Sequence, residues 1–83
     1  MKIPLNKSRR ASERYYLIEG SMGSYGEPEN HANHKYQVAN GIDRGNGYQG
    51  YMSVSYALNG CEWLSTEAKA KIKEILRRDN LIY

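Results

Sequence analysis

The stretch YMSVSYAL, residues 51–58, decides how this chain is read. Met52, Val54, Tyr56 and Leu58 alternate with Ser53, Ser55 and Ala57, the period-two pattern of a half-buried strand. Upstream, KYQVANG at residues 35–41 alternates in the same way through Tyr36 and Val38. GNGYQG at residues 45–50 lies between the two, so they read as the arms of a hairpin. A two-residue Asn46-Gly47 turn sets Val38 opposite Ser55 and Tyr36 opposite Ala57, and the apolar faces disagree. A three-residue Gly45-Asn46-Gly47 loop with a glycine bulge sets Val38 opposite Val54 and Tyr36 opposite Tyr56. A one-residue slip inverts every side chain, so the pattern predicts the odd loop.

Before the hairpin, ERYYLIEG at residues 13–20 reads as a strand ending at Gly20, with Tyr15 and Leu17 on one face and Tyr16 and Ile18 on the other. SMGSYGEPENHANH, residues 21–34, is a long loop rich in Gly, Ser, Asn and Pro, either functional or mobile. After Asn59-Gly60 the clearest helix follows in LSTEAKAKIKEILRR. Ser65 or Thr66 can cap it, and Glu67 suits its first turn as Arg77 and Arg78 suit its last. Ala68, Ile72, Ile75 and Leu76 form its apolar stripe. The order β-β-β-α predicts an α+β fold: a three-stranded antiparallel sheet with one C-terminal helix on one face. The helix stripe would cover Tyr36, Val38, Val54 and Tyr56. The other face, with Tyr51, Ser53, Ser55, Ala57 and one parity of the first strand, would stay open, either solvated or as an interface. Residues 1–12 read as a basic flexible arm and residues 13–83 as the single domain.

The chain has 83 residues, net charge +3, one Cys, one Trp, eight Tyr and no Phe. A lone Cys61 makes no internal disulfide, and there is no cysteine cluster for zinc. MKIPLNKSRR has no apolar leader region and no run is long enough to span a bilayer, so the expected location is cytoplasmic with no membrane partner. Charge is segregated. Residues 1–14 hold five cations against Glu13, residues 15–63 hold two against five anions, and residues 64–83 hold five against three. Basic ends around an acidic middle admit an anionic partner without marking a strongly basic nucleic-acid binder. Tyrosine in place of phenylalanine suits half-buried surfaces and interfaces, because its hydroxyl wants a partner.

Candidate chemistry is sparse. Gly45, Gly47 and Gly50 have dinucleotide-fingerprint spacing, but an alternating strand follows where a helix is needed, and the chain is too short for a doubly wound sheet. Glu27, Glu29, His31 and His34 are nitrogen and oxygen donors suited to a divalent ion, yet an Asn-rich loop does not preorganise them; they read as a solvated polar loop. Cys61 beside Trp63 reads as a small packed residue rather than a nucleophile. No catalytic set emerges, and the chain is expected to be no enzyme, with neither cofactor nor metal. Arg9-Arg10-Ala11-Ser12 has the pattern that basic-directed kinases accept, on a segment read as an electrostatic arm or an inert tail.

The residues expected to contact a partner are Arg9 and Arg10 in the arm, Arg14 just beyond it, Tyr15, Tyr25, Arg44, Tyr48 and Tyr51 as aromatic and loop contacts, and Lys69, Lys73 and Arg77 along the helix. Small size, a minimal core and no catalytic set resemble, in type only, the accessory and inhibitor proteins of phages and mobile elements. That likeness implies a protein that occupies a surface of a larger protein partner, such as a nucleic-acid-handling host complex, in the manner of an anti-CRISPR inhibitor. A small RNA- or DNA-binding domain using the basic arm, the helix and tyrosine stacking is the alternative, and a homodimeric subunit joined through the open face is a third.

Overall fold

A computed structural model describes residues 2–41 and 50–83. It is a small α+β fold with an antiparallel sheet and a C-terminal helix. The sheet has four strands in the order β1-β2-β3-β4: β1 Lys2–Pro4, β2 Tyr15–Glu19, β3 Tyr36–Asn40 and β4 Tyr51–Ser53. Two helices follow, α1 Val54–Asn59 and α2 Thr66–Arg78, and single 3-10 turns sit at Ala11–Glu13 and Ala32–His34.

The fourth strand comes from the segment read as an arm. Ile3 pairs with Leu17 across β1 and β2, and Leu5 reaches the core at 2% exposure. Two apolar residues therefore tie residues 2–5 to the fold, and the reading of 1–12 as an arm outside the domain is corrected. β1 is also a blunted edge, since Pro4 has no N–H to offer a further strand and Lys2 adds a charge.

Alternation holds across the sheet. Ile3, Leu17, Val38 and Met52 are cross-strand neighbours in one row, facing the core. Pro4, Tyr16, Ala39 and Tyr51 form the adjacent row on the opposite face, where the Lys2 ammonium lies 4.2 Å from the Tyr16 ring centroid. The hairpin register differs from the expected one. Val38 faces Met52, not Val54, and Gln37 faces Ser53. The parity is the expected one, with apolar opposite apolar, but the pairing is shifted by two residues. The Gly45-Asn46-Gly47 turn itself lies outside the described residues.

The shift goes with an early end to β4. Ser53 turns the chain into α1, its Oγ accepting the Tyr56 N–H at 3.1 Å. Val54, Ala57, Leu58 and Cys61 are buried, an i, i+3, i+4, i+7 set that serves a helix as well as Val54 and Leu58 serve a strand. The helical rotation carries Tyr56 out of the core to 50% exposure, which overturns its place beneath the helix stripe. Ser55 and Ala57 likewise leave the open sheet face.

α2 follows its sequence pattern. Ser65 caps it through the Ala68 N–H at 3.2 Å. Ala68, Ile72, Ile75 and Leu76 are buried in one cluster with Leu17, Tyr36, Val38 and Val54. Each of the three large aliphatics contributes about 2 kcal/mol on burial. At its end Asn80 takes the left-handed conformation at φ 57°. Leu81 N–H then bonds the Leu76 carbonyl at 2.9 Å and Asn80 N–H bonds that of Arg77 at 3.3 Å, a Schellman closure with Leu81 buried near Leu76. No described helix is long and apolar enough to cross a membrane.

Candidate functional site

Among the described residues expected to meet a partner, Tyr15 lies on β2, Tyr51 on β4, and Lys69, Lys73 and Arg77 on α2. Arg9 and Arg10 are exposed, and Arg10 pairs with Glu13 at 3.9 Å. Arg14 is committed to the turn, donating to the carbonyls of Ser8 at 3.1 Å and Arg9 at 2.9 Å. Tyr25 stands fully exposed at the tip of the 21–34 loop. Lys69 is half-buried on α2, with Lys73 and Arg77 exposed. Arg44 and Tyr48 lie outside the described residues. The chosen residues that do come together are Tyr15 and Tyr51, which line a common groove.

Tyr15 is corrected from an outward contact to a buried one. It belongs to the core-facing set of β2, and its hydroxyl bonds the Asn40 side chain opposite it. Burial is the main reason its phenol is held above the ordinary tyrosine range. It lines a groove of about 420 Å³ together with Asn40, Gly50, Tyr51, Met52, Tyr56 and Trp63. The Trp63 ring leans on Tyr15, with centroids 5.3 Å apart and planes at 47°, a tilted contact of the kind aromatic quadrupoles favour. Trp63 is nevertheless 60% exposed and Tyr51 39%. With Tyr56, three large aromatics among the described residues surround one groove, and no charged side chain of the described residues lines it.

Local structure explains the placement. Cys61 and Leu64 are buried on either side of Trp63, so the turn between α1 and α2 is anchored at both ends with the indole outward. Tyr56 is turned to the same groove by α1. In sequence, Trp63 reads as a packed neighbour of a semi-buried Cys61, and strand alternation predicts Tyr56 in the core. The signal for Trp63 was its position in a turn, two residues ahead of the helix cap; Tyr56 needed the strand-to-helix switch at Ser53.

A second groove of about 500 Å³ shares Tyr15 and Trp63 as walls, and its far side carries Lys7, Glu13 and Glu67. Trp63 is therefore a partition with an uncharged aromatic groove on one side and a groove containing two carboxylates and one ammonium on the other.

The Glu27–His34 segment has a structural task. Asn33, 5% exposed, donates from Nδ2 to Ser55 Oγ at 3.0 Å and to Glu27 Oε2 at 3.3 Å, while its Oδ1 accepts the Ser55 N–H at 3.0 Å. His31 Nδ1 accepts the Asn33 N–H at 3.1 Å, and His34 Nε2 lies 3.3 Å from the Glu27 carbonyl. The ring of His34 packs so close to Gly23 that a Cβ there would overlap it. The Ser24 N–H is the chief cause that holds the Glu27 carboxyl below the usual carboxylate range. Glu27, His31 and His34 are thus engaged within the segment, and among the described residues no three His, Cys, Asp or Glu gather in a metal-holding group. Compared with protein-family models, curated proteins and solved structures, the chain matches none.

Proposed function

We propose that this chain is a non-enzymatic binding protein that occupies a surface of a larger protein, and that the partner seats on the groove around Trp63. The exposure of Trp63, Tyr56 and Tyr51 about one uncharged groove carries this reading. Trp and Tyr dominate the energetic centres of protein interfaces, and their rings are rigid enough to be ordered at small entropic cost. Residues anchored in the core on either side preorganise the indole, which lowers the cost of association. A nucleic-acid surface needs cations alongside its stacking rings, and among the described residues none lines this groove. An inhibitor of a nucleic-acid-handling host complex, carried by a phage or mobile element, is one form the proposal takes; small size and the want of a catalytic set are its support.

The test is quantitative affinity purification from the native host with the wild-type chain, W63A and, as a control on α2, K71A. The expected result is a protein partner recovered by wild type and K71A and reduced at least tenfold by W63A, the loss expected of an interface centre. Equal recovery by W63A, or recovery of nucleic acid alone, would overturn the proposal.

A further inference from the structure

We infer that the partner presents a proline-rich segment in the polyproline II conformation next to a basic side chain, the prolines lying in the Trp63 groove and the cation in the neighbouring groove between Glu13 and Glu67. The inference rests on the binding reading above and names its ligand.

Three features of the site point to this chemistry. The first groove offers aromatic faces, a thioether and amide or hydroxyl groups, with no carboxylate or cation among Tyr15, Asn40, Tyr51, Met52, Tyr56 and Trp63. Proline has no N–H, so a proline-rich strand brings few donors that need a strong acceptor. Its rings lie flat on aromatic walls. Its carbonyls, which have no partner within a polyproline II helix, face outward toward donors such as the Tyr56 hydroxyl and the Trp63 indole N–H. Such a segment is already extended before it binds, so little ordering is lost.

The second feature is the partition. The same indole bounds both grooves, and the tilt against Tyr15 leaves its two sides facing different chemistry. Beyond it stand Glu13 and Glu67 against Lys7. Glu67 forms no ion pair among the described residues, and Glu13 meets only the exposed Arg10 at 3.9 Å and the Ser8 hydroxyl at 3.0 Å. A guanidinium entering there finds carboxylates able to accept paired hydrogen bonds. The opposite polarity, an acidic flank, would meet like charge.

The third is scale. Six residues of a polyproline II helix span about 19 Å at 3.1 Å each, within the 24 Å shortest dimension of the molecule. The chain cannot supply this ligand to a second copy of itself, because its two prolines, Pro4 and Pro28, are isolated in sequence.

Trp63 is the sole tryptophan, so its emission reports on the site directly. The full chain is titrated with synthetic ten-residue Pro-x-x-Pro peptides flanked by Arg, Ala or Glu. We expect Arg-flanked peptides to shift Trp63 emission to shorter wavelength and to bind at least threefold more tightly than Glu-flanked ones. E67Q should erase most of that preference while leaving the Ala-flanked peptide bound as before. Y56A, checked for folding by circular dichroism, should weaken all peptides at least tenfold, and peptide chemical shifts in W63A should show the same loss without the reporter. Absence of any shift with every peptide, or equal affinity for Arg and Glu flanks, would overturn the inference. So would a response to oligouridylate but not to peptides, which assigns the groove to RNA, or self-association abolished by W63A, which assigns it to a second copy. If a host protein needs Trp63 for capture yet is not displaced by any proline-rich peptide, the binding proposal stands and this inference falls.

Discussion

The two helices of this molecule are held in opposite ways. α2 runs 13 residues and buries Ala68, Ile72, Ile75 and Leu76 in the common core. α1 runs six, too short to be stable by itself, and its first turn depends on polar groups. The Ser53 hydroxyl takes the Tyr56 N–H and the Asn33 side chain takes the Ser55 N–H. Those are two of the four amide donors that a helix start leaves without intrahelical partners. Asn33 belongs to the loop before β3, so α1 is capped partly from 22 residues away. A long amphipathic helix can carry its own instructions, whereas a one-turn helix has to borrow them from elsewhere in the chain.

The comparison breaks most visibly at Ile72. It is fully buried at the middle of the α2 stripe, so I72A removes methylene and methyl groups and leaves a cavity. The expected loss is about 3 kcal/mol, measured as a fall in the urea midpoint at unchanged slope. Because β2, β3 and α1 share that core, all probes should report the same transition. A loss confined to α2 amides in hydrogen exchange would show that the two halves fold separately.

The next effect in size concerns α1. N33A leaves the part-buried Ser55 N–H without its partner and Glu27 without one of its donors, an expected cost of about 2 kcal/mol. Unlike I72A it should act locally first: the Ser55 and Tyr56 amides exchange faster than the global opening allows, and Tyr56 loses its fixed place at the groove. If N33A weakens α2 and α1 protection equally, the remote cap is not what distinguishes the helices.

This contrast also accounts for what could be read in advance. The α2 stripe and its Ser65 cap were legible because periodicity and cap lie within one short window. The face parity of the hairpin was legible for the same reason, through Tyr36, Val38 and Met52. The strand-to-helix switch at Ser53 was not, since Val54 and Leu58 satisfy both templates and the deciding groups, Asn33 and the core contacts of Ala57, come from tertiary structure. β1 was hidden by its three-residue length and its proline. At the candidate site Tyr15 and Tyr51 were found by residue type, but Trp63 and Tyr56 were assigned inward. Exposure is decided by which neighbours are anchored, here Cys61 and Leu64, and composition does not report it. The basic residues follow from charge alone, and charge does not show that Arg14 is spent on the Ser8 and Arg9 carbonyls or that Arg10 pairs with Glu13.

The smallest expected effect sharpens the comparison at the other end of α2, where this helix too has a polar fastening. The Tyr36 hydroxyl donates to Asp79 Oδ2 at 2.6 Å, and Arg78 Nε lies 3.2 Å from Oδ1. The Tyr36 bond first, and Arg78 second, hold the Asp79 carboxyl below the usual aspartate range, while the same bond to Asp79 is the main cause that raises the Tyr36 phenol. A carboxyl depressed in the folded state contributes stability above its unfolded value and loses it as pH falls through the folded one. A phenol raised in the folded state contributes below its unfolded value and loses it as pH rises through the folded one. One bond therefore fails at both extremes. In urea titrations Y36F should be less stable than wild type at neutral pH, and the gap should close as pH drops below the ordinary aspartate range and again in strong alkali. Glu27, held low by Ser24, gives both proteins a shared acid limb that cancels in the difference. A Y36F gap that stays constant from acid to neutral would show that the Tyr36 hydroxyl does not act through the Asp79 carboxylate, and no gap at any pH would show that Tyr36 holds α2 through its buried ring, with the helix end fastened by packing alone.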